Sequence, residues 1–274
     1  MAHVPPGFVT HRAGASLLVA AERFDAGARA AGLCAPDALD RLDRGRAFEV
    51  GRAATMLLAL PAGGPRVVVR RVRHGGWLGA FLGSALLGVG RPLAELRVSA
   101  TLRERGAPVA EPAFVIARRR LGPVWDAAVA TGAEQGACDA LAFLAGAPGR
   151  ARVVRAARAA GCAVRRFHDA GGSHRDLHVK NLLVRETPRS TECIVIDLDR
   201  ASLRRDLSPA RRMRELMRLY RSLLKRRLLD AVGARGLAAF FGAYAGQDRA
   251  LRAALRARLR WERLRVALHA LRYR

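Results

Sequence analysis

The stretch from Phe167 to Arg200 constrains the chain more than any other part of it. It contains His174-Arg175-Asp176-Leu177-His178-Val179-Lys180-Asn181, which fills every fixed position of the pattern H-R-D-L-x-x-x-N. Two apolar runs follow at 182–184 and 193–196, and Asp197 comes directly after the second run. Short apolar runs separated by a turn-forming segment predict two paired strands. Such a hairpin would bring Asn181 and Asp197 near each other at its open end.

The residue types in this stretch suit the transfer of a phosphoryl group, because H-R-D-L-x-x-x-N is the catalytic-loop pattern of protein-kinase-like phosphotransferases. In that chemistry a carboxylate meets the acceptor hydroxyl, while other oxygens hold Mg²⁺ on the phosphates of ATP. We assign the first role to Asp176. We assign the second to Asn181 and Asp197, since Mg²⁺ prefers hard oxygen ligands. Lys180, on the same loop, is counted with the catalytic residues.

Two other interpretations of this stretch compete with the catalytic one. A short motif also arises by chance in a chain rich in Arg and Leu, and Asp176 would then cap a helix or pair with Arg175. His168, His174 and His178 lie close in sequence, as in some metal sites, but no Cys stands beside them at zinc-ligand spacing. The paired strands and the second acidic position favour catalysis over both.

The charge of the chain narrows its partners. It has 49 basic and 23 acidic residues and a net charge of +26, which favours polyanions such as nucleic acid, anionic lipid or a phosphorylated substrate. Aromatic residues make up only 5% of the chain and do not alternate with basic ones, as they do in the stacking platforms of single-strand binders. This composition and the catalytic-loop pattern argue against nucleic acid as the partner.

Cysteine usage and the N-terminal sequence predict a cytoplasmic protein. Cys34, Cys138, Cys162 and Cys193 are scattered without a C-x-x-C pair, which is typical of reduced, mostly buried thiols. The apolar run 15–21 barely reaches the length of a signal-peptide core and is followed at once by charged residues.

The remaining pattern predicts an α+β, bilobal protein-kinase-like fold. Residues 1–45 are interpreted as an N-terminal extension of loop and helix, 46–117 as an N-lobe with an antiparallel sheet and a helix, and 118–274 as a mainly helical C-lobe. The connection between the lobes is expected near 118–123. The expected strands are 47–50, 53–60, 65–72 and 113–117, and the expected helices are 20–31, 36–43, 91–105, 131–144, 151–167, one from Ser208-Pro209, and a basic C-terminal helix over 247–274.

The strand over 65–72 carries a candidate ligand of the ATP phosphates. Val67-Val68-Val69-Arg70 is similar to the pattern V-A-I-K, with Arg70 in the place of Lys, and Glu95 on the following helix is its natural partner. Arg71 and Arg73 are alternatives to Arg70. Gly51 belongs to a turn that would approach the phosphates, although the spacing is not G-x-G-x-x-G and an ordinary hairpin turn fits equally well.

Two segments have the composition of membrane-contacting sequences. Residues 75–90 carry no charge but are shorter than the roughly 20 residues that span a bilayer, so they either pack in a core or dip into an interface. The C-terminal helix has an apolar side and an arginine-rich side. It either packs with its basic face in solvent or lies on anionic lipid.

On these residues the chain resembles the lipopolysaccharide kinases, and among them most closely the 3-deoxy-D-manno-octulosonic acid (Kdo) kinases. The more specific parts of the match are the D-L-H-x-x-N form, with His178 where protein kinases usually carry Lys, and the D-x-D-R ending at Arg200. The resemblance covers roughly 45–230. Its stretches are 69–76, 102–112 with R-G-A-P-V, 174–181, 196–200 and 218–225.

This resemblance implies ATP-dependent phosphorylation of a Kdo hydroxyl on a lipid A precursor, with peripheral contact to anionic lipid at the cytoplasmic face of the inner membrane. Carried over by motif, Asp176 is the base, Asn181 and Asp197 hold the metal, and Arg70 fits an Arg of the Kdo-kinase strand. Heptose kinases share the loop motifs. The alternatives are therefore a heptose, small-molecule or protein kinase of the same fold, or a pseudokinase that binds anionic membrane or nucleic acid without catalysis.

Overall fold

The computed structural model describes residues 4–44, 55–61, 63–72 and 85–259, and the chain divides into two units. Unit 1 comprises Met1–Thr101 and Ala110–Gln135, and unit 2 comprises Leu102–Val109 and Gly136–Arg274. Both contain strands and helices, which confirms the α+β class. Gly51, the predicted strand 47–50, most of segment 75–90 and the end of the C-terminal helix lie outside the described residues.

The described residues of unit 1 form a seven-stranded antiparallel sheet with the order β1-β2-β6-β7-β4-β3, and β5 pairs with β7. The strands are β1 Phe8–Ala13, β2 Ser16–Ala21, β3 Thr55–Ala59, β4 Arg66–Arg71, β5 Leu86–Leu87, β6 Pro112–Leu121 and β7 Val124–Gly132. The helices are α1 Glu22–Ala30, α2 Ala38–Arg44 and α3 Gly90–Glu104. These elements confirm three predicted strands and the three helices predicted from this part of the sequence.

The prediction that residues 1–45 form an extension of loop and helix is wrong for residues 8–21, which form β1 and β2 of the sheet. Strand β2 is an unbroken apolar run because both of its faces are buried. Leu18 and Ala20 pack into the core that contains Phe24 of α1. Leu17 and Val19 pack into a second core with the leucines of α3.

The predicted link at 118–123 is also wrong, since β6 continues to Leu121 and turns back into β7. The turn passes through Gly122, whose φ of 51° suits glycine. The helix predicted over 131–144 is replaced by the end of β7, by β8 (Ala137–Asp139) and by a short helix α4 (Ala140–Ala145). The side chain of Asp139 caps α4 by accepting a hydrogen bond from Ala142 N at 2.8 Å.

Unit 2 combines short strands with long helices. Its helices after α4 are α5 Arg150–Asp169, α6 Pro209–Lys225 and α7 Leu229–Ala245, and its further strands are β9 Gly172–His174, β10 Leu182–Glu186, β11 Thr191–Val195 and β12 Ala201–Leu203. The β10–β11 hairpin, the helix through 151–167 and the helix capped by Ser208 confirm their predictions. Residues 249–259 are also helical. Within the described parts of the chain, no helix is both long and apolar enough to cross a lipid bilayer.

Helices α5 and α7 approach each other at Gly161. A Cβ atom at this position would lie 2.3 Å from the carbonyl oxygen of Phe240, so only glycine fits the crossing. Helix α7 contains a non-helical residue at Gly233 (φ 62°) and reaches Tyr244, which is fully buried. The crossing places Tyr244 against His168 near the end of α5.

All four cysteines are free thiols, as predicted. The expectation that they are mostly buried is wrong, because Cys138 and Cys162 are exposed and Cys34 is partly exposed. Cys193 on β11 is buried, and burial raises the pKa of its thiol to about 12.

Candidate active site

The predicted catalytic loop connects β9 to β10 and is fixed by its apolar residues. Leu177 and Val179 are buried, and the backbone N–H of Val179 donates to Ser222 Oγ of α6 at 3.0 Å. Residues Val179–Asn181 form one turn of 3₁₀ helix that leads into β10. In contrast, 66% of the Asp176 side chain is exposed. The backbone of the loop is therefore fixed by buried contacts, while the carboxylate of Asp176 faces solvent.

Asn181 connects the two acidic positions of the site. Its side-chain Nδ2 donates to the carbonyl oxygen of Asp176 at 2.9 Å. Its own carbonyl oxygen accepts from the backbone N–H of Ile196 at 2.9 Å, at the open end of the β10–β11 hairpin. Asp197 follows Ile196, so the hairpin brings the three predicted residues Asp176, Asn181 and Asp197 to one place, as its sequence indicated.

His174 makes a second bridge between the same two segments. Its Nδ1 accepts from the backbone N–H of Asp176 at 3.2 Å, and its Nε2 lies 3.3 Å from the carbonyl oxygen of Ile196. Accepting at Nδ1 requires that the ring proton sits on Nε2 and is donated to Ile196. Burial lowers the pKa of His174, which keeps the imidazole in this neutral form.

Asp197 has a left-handed backbone conformation, with φ 58° and ψ 65°. Residues other than glycine adopt this conformation at a cost of about 1–3 kcal/mol, and such strain concentrates at functional sites. The next residues, Leu198–Arg200, form a 3₁₀ turn whose Leu198 is buried. The end of strand β11 and Leu198 are both buried, and the strained residue between them, Asp197, is exposed at the surface.

His178 stands beside the proposed base. Its Nε2 lies 3.7 Å from Asp176 Oδ2. Its Nδ1 is buried and has no hydrogen-bond partner within the described residues. Lys180, two residues later in the 3₁₀ turn, is half-buried.

Glu215 of α6 anchors the strand that leads into the catalytic loop. It is 2% exposed, and its carboxylate accepts from Ser173 Oγ at 2.6 Å and from the backbone N–H of His174 at 2.8 Å. It also accepts from His168 Nε2 at 3.1 Å. Burial acts to raise the pKa of Glu215, but these hydrogen bonds outweigh it and the pKa is lowered. The carboxylate is therefore ionised beneath β9.

A further hydrogen bond extends this network into α7. His168 Nδ1 lies 2.7 Å from Tyr244 Oη. Because Nε2 donates to Glu215, Nδ1 must accept from the tyrosine hydroxyl. Burial lowers the pKa of His168 and raises that of Tyr244, so His168 is neutral and Tyr244 is protonated. Sequence analysis missed this network, although Glu215 is the sole acidic residue among the basic residues of α6.

Unit 1 contains the predicted pair of Arg70 and Glu95. Arg70 Nη2 donates to Oε1 and Oε2 of Glu95 at 2.8 and 2.9 Å. The side chains are 18% and 5% exposed. The prediction that strand β4 and helix α3 bring these two residues together is confirmed. Arg71 instead lies 3.4 Å from Asp43 and 3.9 Å from Asp126, and Arg73 is outside the described residues.

One cavity in unit 2 has a volume of about 470 Å³ and an apolar lining. Helices α5, α6 and α7 contribute most of its surface, including Met217 and Phe240. The residues predicted for catalysis and metal binding do not line it. Within the described residues, no group of three or more His, Cys, Asp and Glu side chains is arranged to hold a metal ion.

Comparison with known proteins gives one family and one fold. The model of the lipopolysaccharide kinase (Kdo/WaaP) family matches residues 62–244. A solved structure titled "WaaP in complex with acyl carrier protein" is similar, with a TM-score of 0.56 and 22% sequence identity over 82% of this chain and 90% of that one. This similarity confirms the predicted protein-kinase-like fold. No curated protein sequence matches the chain.

Proposed function

Because the chain belongs to the lipopolysaccharide kinase (Kdo/WaaP) family, and is therefore a kinase of a lipopolysaccharide sugar hydroxyl, we propose that its acceptor is Kdo on a lipid A precursor. The phosphoryl donor in this proposal is ATP, and the metal is Mg²⁺. The phosphotransfer site in this proposal rests on Asn181, which hydrogen-bonds to the segment of Asp176 and to that of Asp197. The choice of Kdo rests on the sequence resemblance given above.

Asp176 acts as the base in this proposal. Its carboxylate is exposed on a loop whose backbone is fixed, so an incoming sugar hydroxyl reaches it without rearrangement of the loop. Accepting the hydroxyl proton makes the oxygen a better nucleophile toward the γ-phosphorus.

Asn181 and Asp197 would hold the metal ion. The Nδ2 of Asn181 is used for the bond to Asp176, so the Oδ1 of the same amide would be the metal ligand. Asp197 would supply a carboxylate. These hard oxygens suit Mg²⁺, which needs few protein ligands when phosphate and water complete its shell. When bound, Mg²⁺ neutralises phosphate charge during transfer.

Arg70 would neutralise nucleotide phosphates, with Glu95 fixing the direction of its guanidinium. A cation on this strand, paired to a glutamate on the next helix, has that role in protein kinases. Lys180 remains a proposed catalytic residue because it shares the 3₁₀ turn with Asn181. Gly51 is proposed as a phosphate-contacting residue on its sequence alone.

The acceptor is tested with purified protein, labelled ATP and Mg²⁺, and three acceptors: a Kdo-bearing lipid A precursor, a heptosyl-bearing one and a protein. We expect label transfer to the Kdo lipid. Transfer to the heptosyl lipid alone would replace Kdo by heptose and leave the kinase assignment intact. A protein that binds no Mg-ATP and transfers no label would be a pseudokinase.

We also propose peripheral contact with anionic lipid at the cytoplasmic face of the inner membrane. The supporting observations are the net charge of +26 and a substrate whose acyl chains sit in a bilayer. Co-sedimentation with vesicles of neutral and of anionic lipid measures this contact. We expect binding to anionic vesicles that weakens as salt rises, because screening reduces attraction between exposed charges.

A further inference from the structure

A second cavity in unit 2 is lined by arginines and lies away from the catalytic loop. Its volume is about 410 Å³, and it is lined by Arg105, Gly106, Arg166, Asp169, Ala170, Gly171 and Arg205. Gly171 immediately precedes β9, whose opposite end is His174. A three-residue strand is about 10 Å long, so this cavity and Asp176 are at different ends of β9.

Three chain segments meet around the cavity and are tied to one another. Arg105 Nη1 donates to the carbonyl oxygen of Ala170 at 3.0 Å, and Arg166 Nη2 donates back to the carbonyl oxygen of Gly106 at 2.7 Å. The backbone N–H of Arg204 donates to the carbonyl oxygen of Gly171 at 2.8 Å. The first two contacts hold the side chains of Arg105 and Arg166, so these two arginines lose less conformational entropy when a ligand binds.

The charge balance of the cavity is positive. Its one acidic side chain, Asp169, is already paired, with Oδ2 at 2.5 Å from Arg165 Nε and Oδ1 at 2.7 Å from Arg212 Nη1. A guanidinium has five N–H donors, and the contacts of Arg105 and Arg166 to backbone carbonyls neutralise no charge. Three arginine charges therefore face the cavity, while its acidic side chain is paired with two arginines that do not line it.

Glycine keeps this space open. Gly171 has a φ of 88°, and a Cβ atom there would lie 2.4 Å from the carbonyl oxygen of Arg204 and 3.1 Å from Arg105 Nη1. A side chain at this position would thus displace the arginine that lines the cavity.

We propose that this arginine-lined cavity binds a phosphate group, either free or as the headgroup of a phosphomonoester lipid. Guanidinium groups bind phosphate through parallel, charge-assisted hydrogen bonds. The site is separate from the proposed phosphotransfer chemistry and does not depend on it.

The test compares two variants of equal charge. Arg166→Gln/Arg205→Gln removes two arginines of the cavity. Arg189→Gln/Arg235→Gln removes two exposed arginines elsewhere in unit 2. Calorimetry measures the affinity of each variant for inorganic phosphate. The solution contains about 0.15 M salt, which screens non-specific attraction, together with a non-hydrolysable ATP analogue and Mg²⁺. Circular dichroism and the Tm of each variant report whether it is folded.

We expect the cavity variant to bind phosphate at least about tenfold more weakly, since each charge-assisted bond contributes about 1.4 kcal/mol or more, and the control to bind within about twofold of the original chain. Vesicles of phosphatidylcholine with and without phosphatidic acid distinguish the source. A selective loss of vesicle binding by the cavity variant identifies a lipid headgroup, and a loss limited to inorganic phosphate identifies the free ion.

Equal changes in both variants, or no change in either, would overturn the proposal. If the double variant unfolds, Arg205→Gln alone is compared with Arg189→Gln by the same criteria.

Discussion

The two units hold their functional groups in different ways. In unit 1, the charged side chains of Arg70 and Glu95 contact each other directly, with Arg70 Nη2 2.8 Å from Glu95 Oε1 between a strand and a helix. In unit 2, the position of Asp176 is set through its backbone, which bonds to His174 and to Asn181. A charge that must neutralise phosphates can be oriented by an opposite charge. In the proposed mechanism the Asp176 carboxylate accepts a proton, and the bonds with His174 and Asn181 are made to the backbone of Asp176 rather than to this carboxylate.

The supports also differ in their charge state. In unit 2, the neutral ring of His174 contacts the segment that follows the hairpin, whereas the charged carboxylate of Glu215 contacts β9, which precedes the loop. This arrangement anchors β9 to α6 through a full charge that contacts Ser173, His174 and His168 rather than the carboxylate of the proposed base. The following four predictions test whether the distinction between a direct ion pair and a layered support holds.

The largest effect is expected from Asp176→Asn. The amide cannot accept a proton, so kcat should fall about 10³-fold, within the range that a positioned base contributes. Because Asp176 is exposed, the Tm and the affinity for Mg-ATP should stay close to those of the original chain. Steady-state kinetics and calorimetry measure the three quantities. Asp230→Asn, an exposed change in the same unit, is the matched control, and equal activity in both variants would remove Asp176 from the mechanism.

Glu215→Gln should destabilise unit 2. The amide presents an NH₂ group to one of three donors, which leaves a buried donor without an acceptor, and the free energy of unfolding should fall by about 3 kcal/mol. Urea unfolding measures this change. Glu192→Gln, which removes an exposed pair with Arg185, should change it by less than about 0.5 kcal/mol. A similar small effect for both variants would show that β9 does not depend on the buried carboxylate.

Arg70→Ala should reduce kcat/KM about 100-fold, because it removes the phosphate ligand and leaves Glu95 buried without its arginine. Arg70→Lys tests the nature of the pair. A single guanidinium nitrogen contacts both carboxylate oxygens, so an ammonium group can replace it and we expect a loss of only about tenfold. If Lys is as damaging as Ala, the function requires the planar guanidinium rather than its charge.

The last effect, which is small for a small change of pH, is a dependence of stability on pH. Burial lowers the pKa values of His168 and His174, so the folded chain binds their protons less readily than the unfolded chain does. Stability is then complete above the ordinary histidine pKa of about 6.5 and falls below it, by up to about 1.4 kcal/mol per pH unit for each proton. The lowered pKa of Glu215 continues this fall in more acidic solution.

Urea unfolding between neutral and mildly acidic pH measures this slope. His168→Gln should reduce it by about half, since one of the two buried histidines is then absent. A free energy of unfolding that is flat across this range would contradict the neutral, buried state of both rings.

The sequence was sufficient to predict where Asp176, Asn181 and Asp197 lie because the signals for this loop and hairpin are local. Asp176, Asn181 and Asp197 lie within 22 consecutive residues, and the hairpin that joins them consists of two short apolar strands around a turn. The N-cap at Ser208 and the apolar stripe of α6 are equally local. The contact of Arg70 with Glu95 was predictable for a different reason, because the strand-to-helix pattern specifies it in this fold.

Elements defined by distant partners were not predictable in the same way. Strand β7 is rich in alanine, which has low β-propensity, and its centre is stable as a strand because β6 and β4 pair with it on both sides. Strand β2 lacks the alternation of a half-buried strand because two cores cover it. Glu215 anchors β9 through contacts to residues that are 41–47 positions away in the chain.

The lack of a side chain at Gly161 affects the hydrogen-bond network of Glu215, His168 and Tyr244. The closest atom to a Cβ there would be the carbonyl oxygen of Phe240 at 2.3 Å, so even a methyl group would push α7 outward by about 1 Å. Tyr244 lies one turn further along α7, and its 2.7 Å bond to His168 would stretch beyond hydrogen-bonding range. The absence of one carbon atom at Gly161 thus preserves the hydrogen bonds that support β9, and with it the position of the proposed base.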